Sequence, residues 1–349
     1  MLAAVMRDSG IVLDTVSDPE PGSGEVLVKT LACGICGSDL HALRHADKML
    51  EAAAESGAGQ GPGPSVVVMD PSRDVVLGHE FCAEIVDFGP NTTKRLKAGT
   101  RVVSVPLAFR GTSIHAVGYS NELPGGYGEA MVLSEPLLLE VPNGLSTERA
   151  ALTEPMAVGA HAVAKSGMGQ GDAALVVGCG PVGLAVIAAL RMLGVEAVVA
   201  ADYSPMRRRL AEGLGAHRVV DPAERPAIDA LRELAPFKPA VMFECVGVPG
   251  VIQQMMKDAP RGARIVVAGV CMEVDSFKPM IGINKELSLQ FVLGYMPDEF
   301  ANTLRAIAEG EIDVDPLITG RVGLEGVAGA FEDLARPDEH AKILVQPHS

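Results

Sequence analysis

The chain has 349 residues, 48% of them hydrophobic and 21% charged, which suits two domains with packed cores and excludes a disordered polymer. Its 44 acidic against 29 basic residues give a formal charge of -15, a field that repels nucleic acid and anionic lipid; with 4% aromatic residues and no tryptophan, stacking platforms for bases are scarce. The six cysteines, at 33, 36, 82, 179, 245 and 271, are not spaced as a disulfide framework, and Arg7 and Asp8 interrupt the apolar start where a signal peptide would continue, so a reducing, cytoplasmic setting is expected.

Residues 1–155 read as β-rich. Val26 to Leu31, Phe81 to Phe88 and Arg101 to Val105 are short apolar runs bounded by Pro21-Gly22, Gly89-Pro90 and Gly125-Gly126, the pattern of a barrel-like module with tight turns. Within this block a helical pattern covers His41 to Glu55, and 52–64 is low-complexity Ala, Gly and Pro. From 172 to 294 the rhythm changes. Strand-length runs beginning at Ala174, Ala197, His217, Ala240 and Arg264 alternate with helical patterns at 181–193, 205–214, 224–235 and 249–258, which predicts a parallel sheet covered on both faces. The uncharged stretch 173–190 has the length of a membrane span, but Gly178, Gly180, Pro181 and Gly183 would break a spanning helix; a buried strand and helix are expected, and no membrane association. Two more helical patterns, 297–309 and 325–335, precede a last strand, Lys342 to Val345.

Gly178-Cys-Gly180-Pro181-Val182-Gly183 ends one of these strands and opens the next helix, and Asp202 ends the following strand. In a βαβ unit this is a dinucleotide fingerprint: Gly178 for the turn, Gly180 for backbone approach to a pyrophosphate, Gly183 for helix–strand packing, and the helix N-terminus for the phosphates. Asp202 suits the ribose hydroxyls and repels a 2′-phosphate, which favours NAD over NADP, whereas Arg207 and Arg208 would accept that phosphate. S-adenosylmethionine sites share this geometry, so a methyltransferase or a non-redox nucleotide-binding protein stands as an alternative at this point. Cys245-Val246 and Gly269-Val270 end later strands and are expected to line the nicotinamide pocket.

The second constellation is Cys33-Gly-Ile-Cys36-Gly-Ser38-Asp39-Leu-His41 with Gly78-His79-Glu80. No second CxxC exists to close a four-cysteine zinc site. Cys36, His79 and a carboxylate would instead give three protein ligands and an open position, which catalytic zinc needs. Asp39 reads as a cap of the following turn, and Cys33, Cys82, Cys179, Cys245 and Cys271 read first as packing residues.

These residues together resemble the zinc-dependent medium-chain dehydrogenases, the alcohol and polyol dehydrogenase family, over nearly the whole chain: GICGSDLH at 34–41, GHE at 78–80, Glu154-Pro155, the glycine fingerprint and the Lys342-Ile-Leu-Val tail. The resemblance implies an α/β protein with a GroES-like β-rich catalytic domain (1–157 and 296–349) and a doubly wound Rossmann domain (158–295). It implies Cys36, His79, Glu80 and Glu154 as the zinc-binding set, with Glu80 and Glu154 both open for the third ligand. It also implies Ser38 as the hydroxyl facing the substrate and His41 as the proton-relay histidine. The expected activity is hydride transfer between a secondary alcohol or polyol and NAD, in a homodimer or homotetramer joined through an edge strand at 288–294. A zinc-free NADPH quinone or enoyl reductase is the alternative within the superfamily. Two departures stand out. No cysteine lies between Cys82 and Cys179, so one catalytic zinc and no structural zinc is expected. The interval from Cys36 to His79 is long, and its excess (His41 to Glu55 plus the loop Ser56 to Pro64) borders either the substrate cleft or a subunit interface, or is a solvated insertion.

Overall fold

A computed structural model describes residues 1–57, 65–142, 144–336 and 338–349; most of the 52–64 low-complexity loop therefore lies outside the described residues. The chain forms two compact units. One contains Met1–Glu154, Ile318–Arg336 and Lys342–Ser349, and the other Pro155–Leu317 with the few residues before Lys342. The helix Pro297–Ala308 thus lies in the second unit, whereas the sequence reading groups it with the first.

The second unit is a six-stranded parallel sheet. Its strand order is Arg218–Val220, Val198–Ala201, Ala173–Val177, Ala240–Glu244, Arg264–Val267, Ser288–Phe291, the doubly wound order in which the chain reverses direction between Ala173–Val177 and Ala240–Glu244. Leu175, Val176, Val199, Met242 and Phe243 are buried, as expected of strands covered on both faces. Helix Pro181–Leu193 starts on a proline, which lacks the N–H that a first turn leaves unused, and stops at Gly194 in the left-handed region (φ 78°). Its residues 183–190 are all buried, and each large aliphatic side chain there contributes about 1.5–3 kcal/mol.

The first unit is built on a seven-stranded sheet. Strand Glu25–Gly34 pairs antiparallel with Glu80–Phe88, Ala130–Ser134 and Lys342–Val345. Its core is packed with Val26, Val28, Ile85, Met131 and Val345, the inward positions of alternating strands. A separate three-stranded sheet joins Ser65–Val67, from the long Cys36–His79 interval, to the hairpin Leu107–Arg110 and Ser113–Ala116. Among the described residues no helix is long and apolar enough to cross a membrane.

Candidate active site

Sheet register brings the cluster together. Gly34 pairs with Glu80 on one side and with Leu344 on the other, so the chain running on to Cys36, the segment entering at His79 and the last strand meet at one end of the sheet. A Cβ at Gly34 would lie 2.1 Å from Glu80 Oε2; only glycine lets that side chain pass. The ligand atoms of Cys36, His79 and Glu80 all lie within 4.8 Å of one another.

Behind His79 stands Asp39, fully buried. Asp39 Oδ2 accepts the Cys36 N–H at 3.0 Å, which caps the helix Gly37–Glu55 as the sequence indicates. Tyr127 donates its hydroxyl to the same Asp39 oxygen at 2.6 Å, and Tyr119 donates to Oδ1 at 2.9 Å. His79 Nδ1 is 3.3 Å from Asp39 Oδ1 without the alignment of a hydrogen bond, and its ring lies against that of Tyr119, centroids 5.3 Å apart. Burial pushes the Asp39 carboxyl up, but His79, the Tyr127 hydroxyl and the Cys36 N–H together hold it below the usual carboxylate range. Burial pushes the His79 imidazole down, and the facing Asp39 carboxylate outweighs it, raising His79 well above its ordinary value. Burial, with the charge of Asp39, keeps the phenols of Tyr119 and Tyr127 protonated.

A thiol, an imidazole and a carboxylate at this spacing, with a second carboxylate backing the imidazole nitrogen, fit a zinc ion by donor chemistry. Lys342 already engages Glu80: its Nζ donates to Oε1 at 2.7 Å, to Oε2 at 2.6 Å and to the Ile35 carbonyl at 3.0 Å. Burial pushes the Lys342 ammonium down, but Glu80, then Cys36 and, more weakly, Glu154 raise it, so it stays charged. Glu154 is buried at the start of helix Thr153–Ser166 and lies outside the group of three. Burial raises Cys33 well above its ordinary value and Cys82 to about 12, in keeping with packing roles.

Ser38 Oγ has Tyr119 Oη as its partner at 2.9 Å, and among the described residues no hydrogen bond joins Ser38 to His41. His41 is half-buried, with His45 as its ring neighbour at 6.3 Å, and is lowered by burial and then by His45 and Arg44. Sequence reasoning missed Tyr119, Tyr127 and the task of Lys342, and gave Asp39 only its capping part. The one available signal was chemical: a metal-binding histidine donates its other ring N–H to a carboxylate, a backbone carbonyl or water, and a nearby buried carboxylate is one such partner.

At the strand-order reversal, Gly178 has φ 91°, and a Cβ on Gly183 would meet the Gly178 carbonyl at 1.9 Å, while Gly180 faces nothing nearer than Arg207 Nη1 at 4.0 Å. Asp202 accepts the N–H of Cys179 at 2.7 Å and of Ser204 at 2.8 Å. Arg207 Nε is buried without a partner, whereas Arg208 is bonded to Asp221 and the Asp202 carbonyl. Val246 and Cys245 touch the glycine turn from the neighbouring strand, and Gly269 packs on Gly247 beside the half-exposed Val270.

Family models match both parts of this architecture: an alcohol dehydrogenase GroES-like domain over residues 22–143 and a zinc-binding dehydrogenase domain over 181–309. The chain is 32% identical to (R,R)-butanediol dehydrogenase of Bacillus subtilis, covering 97% of each, and 28% identical to the sorbitol dehydrogenase of the same organism, covering 100% of this chain and 98% of the relative. A zinc-binding dehydrogenase from Sinorhizobium meliloti, solved bound to NADP, superposes with a TM-score of 0.83 at 27% identity, over 99% of each chain. The chain therefore belongs to the zinc-type medium-chain alcohol and polyol dehydrogenases. It is an oxidoreductase with a GroES-like domain and a Rossmann domain.

Proposed function

We propose that this enzyme oxidises the secondary alcohol of a vicinal diol or sugar alcohol, reversibly, with NAD as hydride acceptor and one zinc ion per chain. The observation that carries the reading is the approach of the Cys36 and His79 ligand atoms to within 4.8 Å of each other, with Asp39 behind the imidazole. The butanediol and sorbitol named in its relatives support the substrate class.

Cys36 and His79 hold the zinc. Because Lys342 already takes both oxygens of Glu80, Glu154 is the carboxylate that completes the set. One thiolate and one carboxylate then balance the dication, and Glu80 and Lys342 balance each other. Zinc bound there supplies a Lewis acid that makes an alcohol O–H acidic enough to ionise near neutral pH. Ser38 takes that proton as it releases its own, and His41, three residues further along the same helix, carries the released proton to solvent. The hydrogen-bonded lobe around 65–67 and 107–116 supports the absence of a structural zinc, because backbone pairing holds that segment.

Asp202 at the end of its strand supports NAD, since its charge opposes a 2′-phosphate. The unpartnered Arg207 beside Gly180 is placed for the phosphates of the dinucleotide. Cysteines that are all free thiols support a cytoplasmic setting, and the exposed apolar side chains of Phe291 and Leu293 at the sheet edge support a homo-oligomer. The test is nicotinamide reduction by zinc-loaded protein over primary alcohols, secondary alcohols, vicinal diols, sugar alcohols and β-hydroxy acids, with NAD and with NADP. Fastest turnover on diols or sugar alcohols with NAD is expected; a preference for primary alcohols, or for NADP, would overturn the corresponding part.

A further inference from the structure

The chain leaves strand Ala240–Glu244 through one turn, Cys245 to Gly247, and leaves the neighbouring strand Arg264–Val267 through another, Ala268 to Val270. Both turns stand at the carboxyl end of the parallel sheet, next to the strand-order reversal. One buried residue joins them. Glu244 Oε1 accepts the N–H of Val246 at 2.7 Å and of Gly247 at 2.9 Å, and the Glu244 backbone carbonyl accepts the N–H of Ala268 and of Gly269, each at 2.9 Å. The turns leave no room for another atom between them. A Cβ on Gly269 would lie 2.4 Å from Gly247 N and 2.5 Å from Glu244 Oε2; one on Gly247, where φ is 71°, would lie 2.5 Å from the Val270 carbonyl oxygen. Val246 and Val270, on the two turns, are half-exposed.

Glu244 is only 2% exposed, and burying a carboxyl group is unfavourable unless it is bonded. Its hydrogen-bond partners among the described residues are backbone N–H groups. In a turn without such an acceptor those two N–H groups would turn to water and the turn would sample several shapes. Bonded to Glu244, they fix it in one shape before any ligand arrives, which removes an ordering cost from binding. We propose that Glu244 is a positioning residue that clamps the turns 245–247 and 268–270 in the shape that receives the nicotinamide half of the cofactor. This rests on the reading of these turns as the lining of the nicotinamide pocket. In the same reading the adenosine half is held elsewhere, by Asp202 and the glycine turn, so the clamp acts on one half of the dinucleotide.

The test compares NADH with 5′-AMP, the adenosine half alone, through dissociation constants measured by calorimetry on zinc-loaded protein, with Tm alongside. Glu244→Met keeps the length of the side chain and removes the carboxylate acceptor. It should weaken NADH about tenfold and leave 5′-AMP within about twofold of wild type. Glu244→Gln keeps an oxygen for both N–H groups and should hold NADH within about threefold of wild type. Equal weakening of both ligands in Glu244→Met, or an unchanged NADH affinity, overturns the proposal while leaving the pocket in place. A loss in Glu244→Gln as large as in Glu244→Met traces the effect to charge and also overturns the clamp. Wild-type protein that binds NADH no more tightly than 5′-AMP removes the nicotinamide reading, and the proposal with it. One measurement on wild type decides even if the variants fold poorly: the Val246 and Gly247 amides should be protected from hydrogen exchange before NADH is added, and free exchange there would overturn the proposal.

Discussion

Lys342 on the last strand places its ammonium against both carboxylate oxygens of Glu80, residues 262 positions apart in the chain and both buried. Neither charge has water to fall back on, so the pair is far costlier to break than to replace. Lys342→Met should destabilise the metal-free protein by about 3–5 kcal/mol in denaturant unfolding, because it strands the Glu80 carboxylate. Adding Glu80→Gln should restore most of that loss. Zinc should raise the Tm of Lys342→Met more than that of wild type, since the metal offers the freed carboxylate a new partner.

The His79–Asp39 contact makes opposite predictions for metal-free and zinc-loaded protein. His79 is raised, so its contribution to metal-free stability is full below about pH 6.5, the unfolded value, and is lost as pH rises through the folded one. Asp39 is lowered, so its contribution is present above about pH 3.9 and is lost as pH falls through its folded value. The pair therefore supports the metal-free protein most between those limits. Zinc must displace the His79 proton, so zinc affinity should rise with pH across the neutral range. Melting curves from pH 4 to 9, with and without zinc, should show the gap between the two forms widening as pH rises. Asp39→Asn should weaken zinc binding about 10–100-fold, as expected for loss of the group behind a metal-bound imidazole.

Arg207 brings a guanidinium with an unpartnered Nε to the open face of Gly180. Arg207→Ala should weaken the binding of NAD and of NADP, each by about 10–100-fold, the range of a charge-assisted hydrogen bond. Asp202→Ala should instead change the ratio, raising relative NADP affinity. Fluorescence titration with NADH and NADPH separates the two; a variant of Arg207 that changes only the ratio would reverse their roles.

Strand Ser288–Phe291 is the sheet edge, with Leu293 88% exposed just beyond it and Ile283 and Met280 exposed on the preceding helix. An uncovered apolar edge is a pairing surface. Leu293→Lys should shift sedimentation to the monomer without altering the zinc content; an unchanged assembly would place the interface elsewhere.

The parts legible in the sequence are those set by local pattern. Helices Pro181–Leu193 and Pro205–Leu214 fall where periodicity and proline put them, and the glycine run 178–183 forms the expected strand–turn–helix because that geometry needs only neighbouring residues. Helix Ala227–Leu234 begins later than its apolar pattern because Asp221 first turns the chain through bonds from Ala223 and Glu224, and Pro226 then caps it. Cys36, His79 and Glu80 are legible as motif residues. Tyr119, Tyr127 and Lys342 are not, since each reaches the site from 80 to 307 positions away through sheet register and a lobe whose pairing no local spacing announces. The hydroxyl network around Asp39 is therefore a product of the tertiary fold.

Metal analysis of the purified wild type beside Cys36→Ser and His79→Ala tests the central claim most directly. One zinc per chain in wild type, and little in either variant at unchanged fold, is the predicted result. Equal zinc in all three proteins would contradict the site.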